Sequence, residues 1–372
     1  MRSTRTTTLT TLASSCSPYR LPLALHQRSA AQYFTGLHPH INTSYTTLTS
    51  NMRAIIVSKQ GDPSVLELKH DLPLPTPAPG QVLVEVKAAG VNPVDTYIRS
   101  GGNGYNVSLP YTPGADGAGV VVDAPAPSAF KPGDRVYFAS TLTGSYASHA
   151  LAKESQLHPL PEKVSFGQGA AVNVPYSTAY RALIIKGKAR PGQTVLVHGA
   201  SGGVGIAAVQ IAASLGLRII GTASTKEGQE LVLREGAHAV FNHRDEDYLQ
   251  RIKESTRDGA GVDIVIEMLA NVNLAKDLDV IKRGGSVVIV GSRGEINFAP
   301  RLIMAKEAIV TAVALAQSTP EELAEHHAFI GAGLANGTLR PVVDKEFALG
   351  DAPKAHEEVI SGTHAGKIVL LP

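Results

Sequence analysis

The first half of the chain carries short runs of alternating or β-branched apolar residues, separated by turns rich in proline and glycine. These runs lie at residues 53–58, 65–69, 82–86, 120–123, 135–138 and 146–151. Their length and spacing predict a domain of short β-strands. After about residue 167, apolar strands alternate with segments of helical periodicity, which predicts a parallel, doubly wound sheet. The expected fold class is α/β.

The C-terminal tail continues with alternating helices and strands, which we expect to return to the β-rich domain. These elements are predicted at residues 320–336, 342–347, 352–361 and 367–370. The predicted organisation is therefore an extension at residues 1–51, a β-rich domain at residues 52–169 and 317–372, and a doubly wound domain at residues 170–316.

Residues 195–216 combine a buried strand, a glycine turn and a helix in one continuous run. Glycines let the backbone approach a ligand closely, and the first N–H groups of the helix attract an anion. The run departs from the G-x-G-x-x-G fingerprint because Ala200 replaces its first glycine, while Gly202 and Gly205 keep the spacing. The order still predicts a site for the pyrophosphate of a dinucleotide. The alternative is a turn that only packs the helix on the strand.

The end of the second strand of the doubly wound domain indicates which dinucleotide fits. An acidic residue there would bind the ribose 2′-hydroxyl of NAD, but the segment after residues 218–222 has no acid before Glu227. Ser224 and Lys226 instead offer a hydroxyl and a cation to a 2′-phosphate, and His243 and Arg244 follow the third strand. This pattern favours NADPH. The alternative is that Lys226 and Arg244 are solvated surface charges.

Candidate groups for other chemistry are few in this sequence. The lone cysteine, Cys16, cannot form an internal disulfide or a cysteine-based zinc site. No pair of carboxylates and no serine–histidine arrangement stands out, and we interpret His198 and the other histidines as structural. No apolar run is long enough to cross a membrane, since the best candidate covers only residues 309–316.

The first 51 residues differ in composition from the rest of the chain. They contain four arginines, many serines and threonines, and no acidic residue before Asp62. This composition predicts a mitochondrial transit peptide, and the alternatives are a disordered tail or a cytoplasmic protein translated from Met52. Removing the four arginines from 34 basic residues leaves 30 against 32 acidic residues, a net charge of −2. Such a body has a weak electrostatic footprint for nucleic acid.

Four motifs together resemble the zeta-crystallin family of quinone oxidoreductases, in the zinc-free branch of the medium-chain dehydrogenase/reductase superfamily. They are AAGVNPVDTYIRSG at residues 88–101, LPYTPGADGAGVV at residues 109–121, HGASGGVG at residues 198–205 and IEMLANVN at residues 266–273. The resemblance extends from Met52 to the C-terminus. It implies a GroES-like catalytic domain and a Rossmann domain that binds NADPH.

The zinc-dependent members of the superfamily need thiolate and imidazole ligands. Aligned with their motifs, those positions carry Asn92, Ala115 and a residue near Val174. None of the three forms the zinc site, so we expect no metal. Without a Lewis acid the substrate must accept electrons readily, as a quinone or an activated enone does.

The resemblance also implies the site residues. Asn92 and Tyr97 would line the substrate cleft, where Tyr97 either donates a hydrogen bond or only packs against the cofactor. The cofactor-binding residues would be Tyr97, Ser201, Gly202, Gly203, Val204, Ser224, Lys226, His243, Asn273, Val290, Gly291, Ser292, Arg293, Val313, Ala314 and Leu315.

The implied activity is NADPH-dependent, zinc-independent reduction of quinones by one-electron transfer to semiquinones. The alternative enzyme is an NADPH-dependent reductase of enones or alkenals, an enoyl reductase. The alternative of another class is binding of AU-rich mRNA or a structural role in the lens, both attached to this family. A homotetramer is expected by resemblance, paired through the predicted edge strand at residues 309–313.

Overall fold

The structure is a computed structural model, and it describes residues 51–102, 104–362 and 364–372. The predicted transit peptide therefore lies outside the described residues, apart from Asn51. The strands are β1 (Met52–Ile56), β2 (Glu67–Leu72), β3 (Gln81–Val91), β4 (Asp116–Asp123), β5 (Arg135–Ala139), β6 (His149–Lys153), β7 (Leu157–Pro159), β8 (Thr194–Val197), β9 (Arg218–Thr222), β10 (Ala239–Phe241), β11 (Val262–Glu267), β12 (Ile281–Ile289), β13 (Ile309–Ala312), β14 (Val343–Ala348) and β15 (Lys367–Leu371). The α-helices are α1 (Pro93–Ser100), α2 (Phe166–Ala170), α3 (Asn173–Tyr180), α4 (Gly203–Ser214), α5 (Lys226–Arg234), α6 (Tyr248–Glu254), α7 (Ala270–Val280), α8 (Arg301–Lys306), α9 (Pro320–Asn336) and α10 (Ala352–Ser361).

A mixed sheet of seven strands is built from both ends of the described chain. Its order is β14-β15-β3-β4-β5-β7, and β6 also pairs with β3. The C-terminal strand β15 lies antiparallel to β3, so the tail completes the sheet that the first strands begin. The long central strand β3 is mostly buried, with Val82 and Val84 fully inaccessible, which accounts for its apolar composition.

A parallel sheet of six strands forms the rest of the fold, in the order β10-β9-β8-β11-β12-β13. All neighbours in it are parallel. Val195, Leu196 and Val197 of β8 are fully buried, as expected for a strand with helices on both faces. The strand order reverses between β8 and β11, and ligands bind at such a reversal. The predicted α/β fold class is confirmed.

The apolar pattern of residues 170–186 predicts a single helix, but the structure divides this segment. Helix α2 ends at Ala170, α3 starts at Asn173, and residues Arg181–Lys186 continue it as a π-helix. The chain turns between α2 and α3 because the Asn173 side chain and the Val174 N–H both donate to the buried Asp116 carboxylate. A polar contact from β4 thus overrides the local helical periodicity.

A stack of buried aromatic rings joins α9 to the seven-stranded sheet. The His158 and His327 rings lie 3.8 Å apart with an interplanar angle of 17°. Tyr137 on β5 stacks on His158, and its hydroxyl lies 3.2 Å from Nδ1 of His327. Burial lowers the pKa of His158 to about 4 and that of His327 to about 3. These histidines are therefore neutral in the folded protein, as a structural role requires.

In the part of the chain that the structure describes, every helix is too short or too polar to cross a membrane.

Candidate active site

The glycine turn after β8 has the geometry that a bound pyrophosphate needs. Gly199 adopts a left-handed backbone conformation, with φ of 54°, and α4 starts at Gly203. A Cβ at Gly205 would lie 2.3 Å from the Gly199 carbonyl oxygen, so only glycine lets α4 pack this closely on the turn. The free N–H groups of the first turn of α4 and the helix dipole can then act on an anion.

The alanine that replaces the first fingerprint glycine is accommodated by a glycine on the neighbouring strand. Ala200 is fully buried, and a Cβ on Gly221 of β9 would lie 2.9 Å from the Ala200 Cβ. The Ala200 N–H also donates to the Thr222 carbonyl at 2.9 Å. Gly221 on the neighbouring strand therefore provides the space that the Ala200 side chain needs, and the turn is preserved.

Apart from Tyr97, which lies on α1, the predicted cofactor residues follow the carboxyl ends of all six parallel strands. Ser201, Gly202, Gly203 and Val204 follow β8, Ser224 and Lys226 follow β9, His243 follows β10, Asn273 lies on the helix after β11, Val290, Gly291, Ser292 and Arg293 follow β12, and Val313, Ala314 and Leu315 follow β13. Because parallel strands end at one edge of the sheet, this edge collects residues spread over more than a hundred positions.

Several of these residues are held in place by hydrogen bonds. Asn273 donates to the buried Glu267 carboxylate at 3.2 Å, and the Ala314 carbonyl accepts a hydrogen bond from Arg181 at 3.2 Å. The Arg293 guanidinium donates to the Ile360 carbonyl on α10 at 3.3 Å. The last contact ties the parallel sheet to the tail that completes the other sheet.

The end of β9 carries no carboxylate that would face a 2′-phosphate. Thr225 caps α5 by accepting a hydrogen bond from the Gly228 N–H at 3.0 Å, and Ser224 directly precedes it. Lys226 begins α5 with its side chain 84% exposed, 3.9 Å from Glu230. The lysine is therefore free to reorient toward an anion at small cost, since an exposed pair of this kind is weak.

A buried cluster of His198, Glu267 and Asp277 lies beneath this edge, and it was not predicted from the sequence. His198 Nε2 lies 3.0 Å from Asp277 Oδ1 and 3.6 Å from Glu267 Oε2. Its Nδ1 lies 3.3 Å from the Thr222 hydroxyl at the end of β9. Glu267 ends β11 and Asp277 is on α7, so the two carboxylates become neighbours only in the folded chain. No pair of carboxylates stands out in the sequence because these two lie ten positions apart on different elements.

The two carboxyl groups of this cluster are better described as sharing protons than as two separate negative charges. Burial raises the pKa of Glu267 to about 7, and it raises that of Asp277 to about 7 as well. One oxygen of each carboxylate, Glu267 Oε2 and Asp277 Oδ2, has no hydrogen-bond partner among the described residues. Two buried carboxylates that cannot both ionise share protons. The cluster thereby holds Asn273 and the Leu269 N–H, which both bond to Glu267.

Of the two predicted substrate residues, Tyr97 lies on helix α1 and Asn92 is the residue that precedes its first turn. Pro93 occupies its first turn, the Asp95 carboxylate accepts from the Asn92 N–H at 2.8 Å, and Gly101 ends it in a left-handed conformation. The sequence contains these helix signals, but its short and polar pattern did not predict the helix. Tyr97 is half-buried on α1, whereas Asn92 is only 3% exposed. Their roles toward a substrate stay predictions.

Asp95 belongs to a second buried network under α1. Its carboxylate accepts from the Tyr146 hydroxyl at 3.1 Å, and that hydroxyl lies 3.1 Å from His356 Nε2 on α10. Burial raises the pKa of Asp95 to about 6 and lowers that of His356 to about 3. The network anchors α1 to α10 and thereby fixes the helix that presents Tyr97.

The three positions aligned with zinc ligands converge on Asp116. Asn92 Nδ2 donates to Asp116 Oδ2 at 2.9 Å, the Val174 N–H donates to Asp116 Oδ1 at 2.9 Å, and Ala115 is its chain neighbour. Lys367 Nζ lies 3.1 Å from Asp116 Oδ2 and also donates to Asn92 Oδ1. An ammonium group, an amide and an alanine do not form a zinc site, so the residues present do not fit the metal.

Comparison with known proteins agrees with this geometry. Two family models match, the alcohol dehydrogenase GroES-like domain at residues 78–162 and the zinc-binding dehydrogenase at residues 203–331. The quinone oxidoreductase of Homo sapiens is 52% identical over 322 residues, which cover 86% of this chain and 98% of that protein. The chain belongs to the quinone oxidoreductase family. That family is part of the medium-chain dehydrogenase/reductase superfamily, as the four sequence motifs indicated.

Solved structures of this family share the fold. The Escherichia coli quinone oxidoreductase complexed with NADPH has a TM-score of 0.77 and 33% identity, covering 86% of this chain and all of that one. The quinone oxidoreductase of Pseudomonas syringae pv. tomato has a TM-score of 0.78 and 32% identity with the same coverage. The predicted family and fold are thus confirmed over the part of the chain that these relatives cover.

Proposed function

We propose that this protein is an NADPH-dependent quinone oxidoreductase that works without zinc. The observation that carries the proposal is the Lys367–Asp116 ion pair, which lies where the aligned zinc-ligand positions converge. A site without a Lewis acid suits an acceptor that is already electron-poor. The names of the relatives, and the NADPH complex of the Escherichia coli protein, support the same substrate and cofactor.

The residues at the strand ends have defined tasks in this proposal. The turn at Ser201–Val204 would hold the pyrophosphate at the N-terminus of α4. Ser224 and Lys226 would hold the 2′-phosphate, since no carboxylate repels it before Glu227. Asn273, Val290–Arg293 and Val313–Leu315 would close over the ribose and the nicotinamide. When bound, NADPH would supply two electrons and one proton, which reduce two quinones to semiquinones or, with one more proton, one quinone to a hydroquinone.

Tyr97 and Asn92 would act on the acceptor. A neutral phenol donates a hydrogen bond to an oxygen that gains negative charge. Tyr97→Phe would test the phenol while keeping the ring that packs on the cofactor. A fall in kcat with unchanged NADPH affinity indicates a donor, and an unchanged kcat contradicts that role. Tyr97→Ala removes the ring as well, so unchanged NADPH affinity in that variant contradicts packing against the cofactor.

The acceptor class is tested by steady-state oxidation of NADPH with 9,10-phenanthrenequinone and with a 2-alkenal. We expect kcat/KM to be at least about tenfold higher for the quinone, a difference of about 1.4 kcal/mol in transition-state stabilisation. A preference for the alkenal would instead support an enone reductase. One-electron transfer forms two semiquinones per NADPH, and these disproportionate to quinone and hydroquinone, so the final stoichiometry equals that of two-electron transfer. Electron paramagnetic resonance in the first turnovers, before hydroquinone accumulates, separates the two routes: a semiquinone signal supports one-electron transfer.

The cofactor preference is tested by fluorescence titration with NADPH and NADH. The absence of an acid in the segment from Ala223 to Lys226 supports tighter binding of NADPH. A Ser224→Asp variant would introduce the missing carboxylate and lower NADPH affinity more than NADH affinity. Tighter binding of NADH by the unaltered protein would contradict the preference.

A homo-oligomer, and specifically a tetramer, is part of this proposal. Strand β13 lies at the edge of the parallel sheet, and Ile309 is 57% exposed there. An edge strand with exposed apolar residues offers both backbone and side-chain contacts to a second copy. Light scattering coupled to gel filtration would give the mass, and Ile309→Lys is expected to shift it toward the monomer.

RNA binding is the alternative function of another class. The slightly acidic body argues against strong nonspecific affinity for a polyanion, although a dinucleotide cleft has the chemistry to accept nucleotides. Gel-shift assays with an AU-rich RNA in the presence of NADPH would test a shared cleft. RNA that NADPH does not displace would exclude it.

We further propose import into mitochondria, with removal of the N-terminal extension. The support is the composition of residues 1–51, which is basic and rich in hydroxyl groups without an acid. We expect cell fractionation to place the native protein in mitochondria. N-terminal sequencing of that protein should find its first residue within or just after this segment. A cytoplasmic protein that starts at Met52 would contradict import.

A further inference from the structure

The Lys367–Asp116 ion pair, which lies at the positions aligned with zinc ligands, is hydrogen-bonded to several neighbouring groups. Asp116 is fully buried, and the Lys367 side chain is 5% exposed. The carboxylate accepts four hydrogen bonds, from Asn92, from Asn173 at 3.1 Å, from the Val174 N–H and from Lys367. Such saturation is what a buried ion pair needs in order to remain charged.

The chain makes room for Lys367 with glycine. A Cβ on Gly90 of β3 would lie 3.0 Å from Lys367 Cε, 2.9 Å from Asp116 Cβ and 2.1 Å from the Ala170 carbonyl oxygen. A side chain at this position would clash first with the Ala170 carbonyl oxygen and would also crowd Asp116 and the lysine stem. The lysine stem also lies beside the pyrophosphate turn, since a Cβ on Gly203 would be 3.7 Å from Lys367 Cδ.

The residue before Lys367 touches the same turn through its backbone. Gly366 and Gly202 form an isolated parallel β-bridge. The short segment Gly366–Lys367 therefore contacts the turn proposed for the pyrophosphate at one end and Asn92, a predicted substrate residue, at the other. A lysine that served only to neutralise Asp116 would not need to bond to Asn92 as well.

The contacts fix the orientation of the Asn92 amide. Its Oδ1 accepts from Lys367, and one N–H of Nδ2 donates to Asp116. An amide nitrogen has two N–H groups, so the second is left for another acceptor. Without the ammonium group of Lys367, the Asn92 oxygen loses its hydrogen-bond donor, and the side-chain amide can rotate so that its oxygen and nitrogen exchange places.

We propose that Lys367 is a positioning residue for the reaction. It takes over the organising task of the metal in zinc-dependent relatives, holding the Asn92 amide so that its second N–H faces the acceptor oxygen. Lys367 acts through Asn92 and does not itself touch the substrate. The proposal rests on the proposed quinone reduction, because it gives the amide a carbonyl oxygen to meet as negative charge develops.

The test removes both charges together, because removing one would leave the other buried and unpaired. Asp116→Asn/Lys367→Met keeps the lysine stem beside Gly203 but loses the ammonium. We expect NADPH affinity, measured by fluorescence, within about threefold of the unaltered protein, and kcat for quinone lowered at least about tenfold. The matched control is Asp351→Asn/Lys354→Met, an exposed pair at 2.8 Å whose loss leaves kcat unchanged.

A double-mutant cycle with Asn92→Ala decides whether Lys367 works through Asn92. The substitution should lower kcat at least about tenfold in the unaltered protein and less than about threefold in the Asp116→Asn/Lys367→Met background. Equal losses in both backgrounds, or a normal kcat in the charge-free variant, overturn the proposal. Where that variant does not fold, Asp116→Leu/Lys367→Met takes its place.

Two failures are distinguishable in these measurements. If the unaltered protein binds NADPH but does not reduce quinones, the proposed function is wrong. If it reduces quinones and the cycle shows no coupling, the proposed function stands and the role of Lys367 is wrong.

Discussion

Two buried polar groups flank the proposed cofactor edge, and they hold their carboxylates in different ways. Asp116 is neutralised by the ammonium of Lys367 at 3.1 Å. Glu267 and Asp277 have His198 beside them, but burial raises their pKa values to about 7, so bound protons neutralise part of their charge at neutral pH and more of it at lower pH. One group therefore depends on a partner residue and the other depends on pH. This difference predicts opposite responses to neutral substitutions.

The largest effect is expected from Lys367→Met alone. It leaves the Asp116 carboxylate buried without its cation, which costs about 3–5 kcal/mol of unfolding free energy. Chemical denaturation would measure the loss, and adding Asp116→Asn should restore most of it. The control Lys354→Met removes a lysine whose side chain is 71% exposed and should change stability by less than about 0.5 kcal/mol. A loss below about 1 kcal/mol for Lys367→Met would mean that the pair is not a charged pair.

The next effect concerns a third group, the histidine stack, which holds no charge at neutral pH. The pKa of His158 is lowered from 6.5 to about 4, so its stabilising contribution is present above pH 6.5 and is lost as the pH falls toward 4. His158→Phe keeps a stacked ring but cannot be protonated. We expect it to remove about 2–3 kcal/mol of the destabilisation between pH 7 and pH 4. Melting curves against pH, with the exposed His70→Gln as control, would show whether the acid slope changes.

A smaller effect with the opposite pH sign is expected from Glu267→Gln. The folded pKa of about 7 lies above the ordinary value of 4.5, so the contribution is present below pH 4.5 and is lost as the pH rises through 7. Glutamine resembles the protonated acid and should cost at most about 1 kcal/mol at neutral pH. The variant should lose less stability than the unaltered protein between pH 5 and pH 8. If the melting temperatures of the variant and the unaltered protein change equally between pH 5 and pH 8, proton sharing in this cluster is ruled out.

The smallest effect is expected from Lys226, a charged residue that is exposed to solvent. Lys226 has a side chain that is 84% exposed, and its pairing with Glu230 at 3.9 Å is weak. Lys226→Ala should not change stability measurably, and it should weaken NADPH binding by about fivefold or less, a cost of about 1 kcal/mol. NADH binding is the internal control, because it lacks the 2′-phosphate. An equal loss for both cofactors would show that Lys226 does not contact that phosphate.

Local patterns made much of the fold predictable. Strands covered on both faces must be apolar over short runs, so β8 and its neighbours are visible in the sequence. The glycine turn could be predicted from the sequence because close packing of Gly205 on Gly199 requires a glycine, and the spacing of the glycines shows this requirement. The predicted cofactor residues gather at one edge because parallel strands all end there, which a correct strand assignment already implies.

The polar groups were harder to predict because their members are distant in sequence. Lys367 is 251 positions from Asp116, and a lysine at the start of a strand normally indicates an exposed end. Glu267 and Asp277 are on different elements, and only packing brings them to His198. Helix α1 was missed for another reason, since its apolar pattern is short although Pro93 and Gly101 mark its ends.

The bridge between Gly202 and Gly366 has a consequence for biosynthesis. Domains fold from the N-terminus as the ribosome adds residues, and the backbone partner of the glycine turn lies 164 residues further along the chain, at Gly366. Strand β3 gains its neighbour β15 from the same C-terminal segment. Residues 366–371 therefore complete the glycine turn and the seven-stranded sheet together during synthesis.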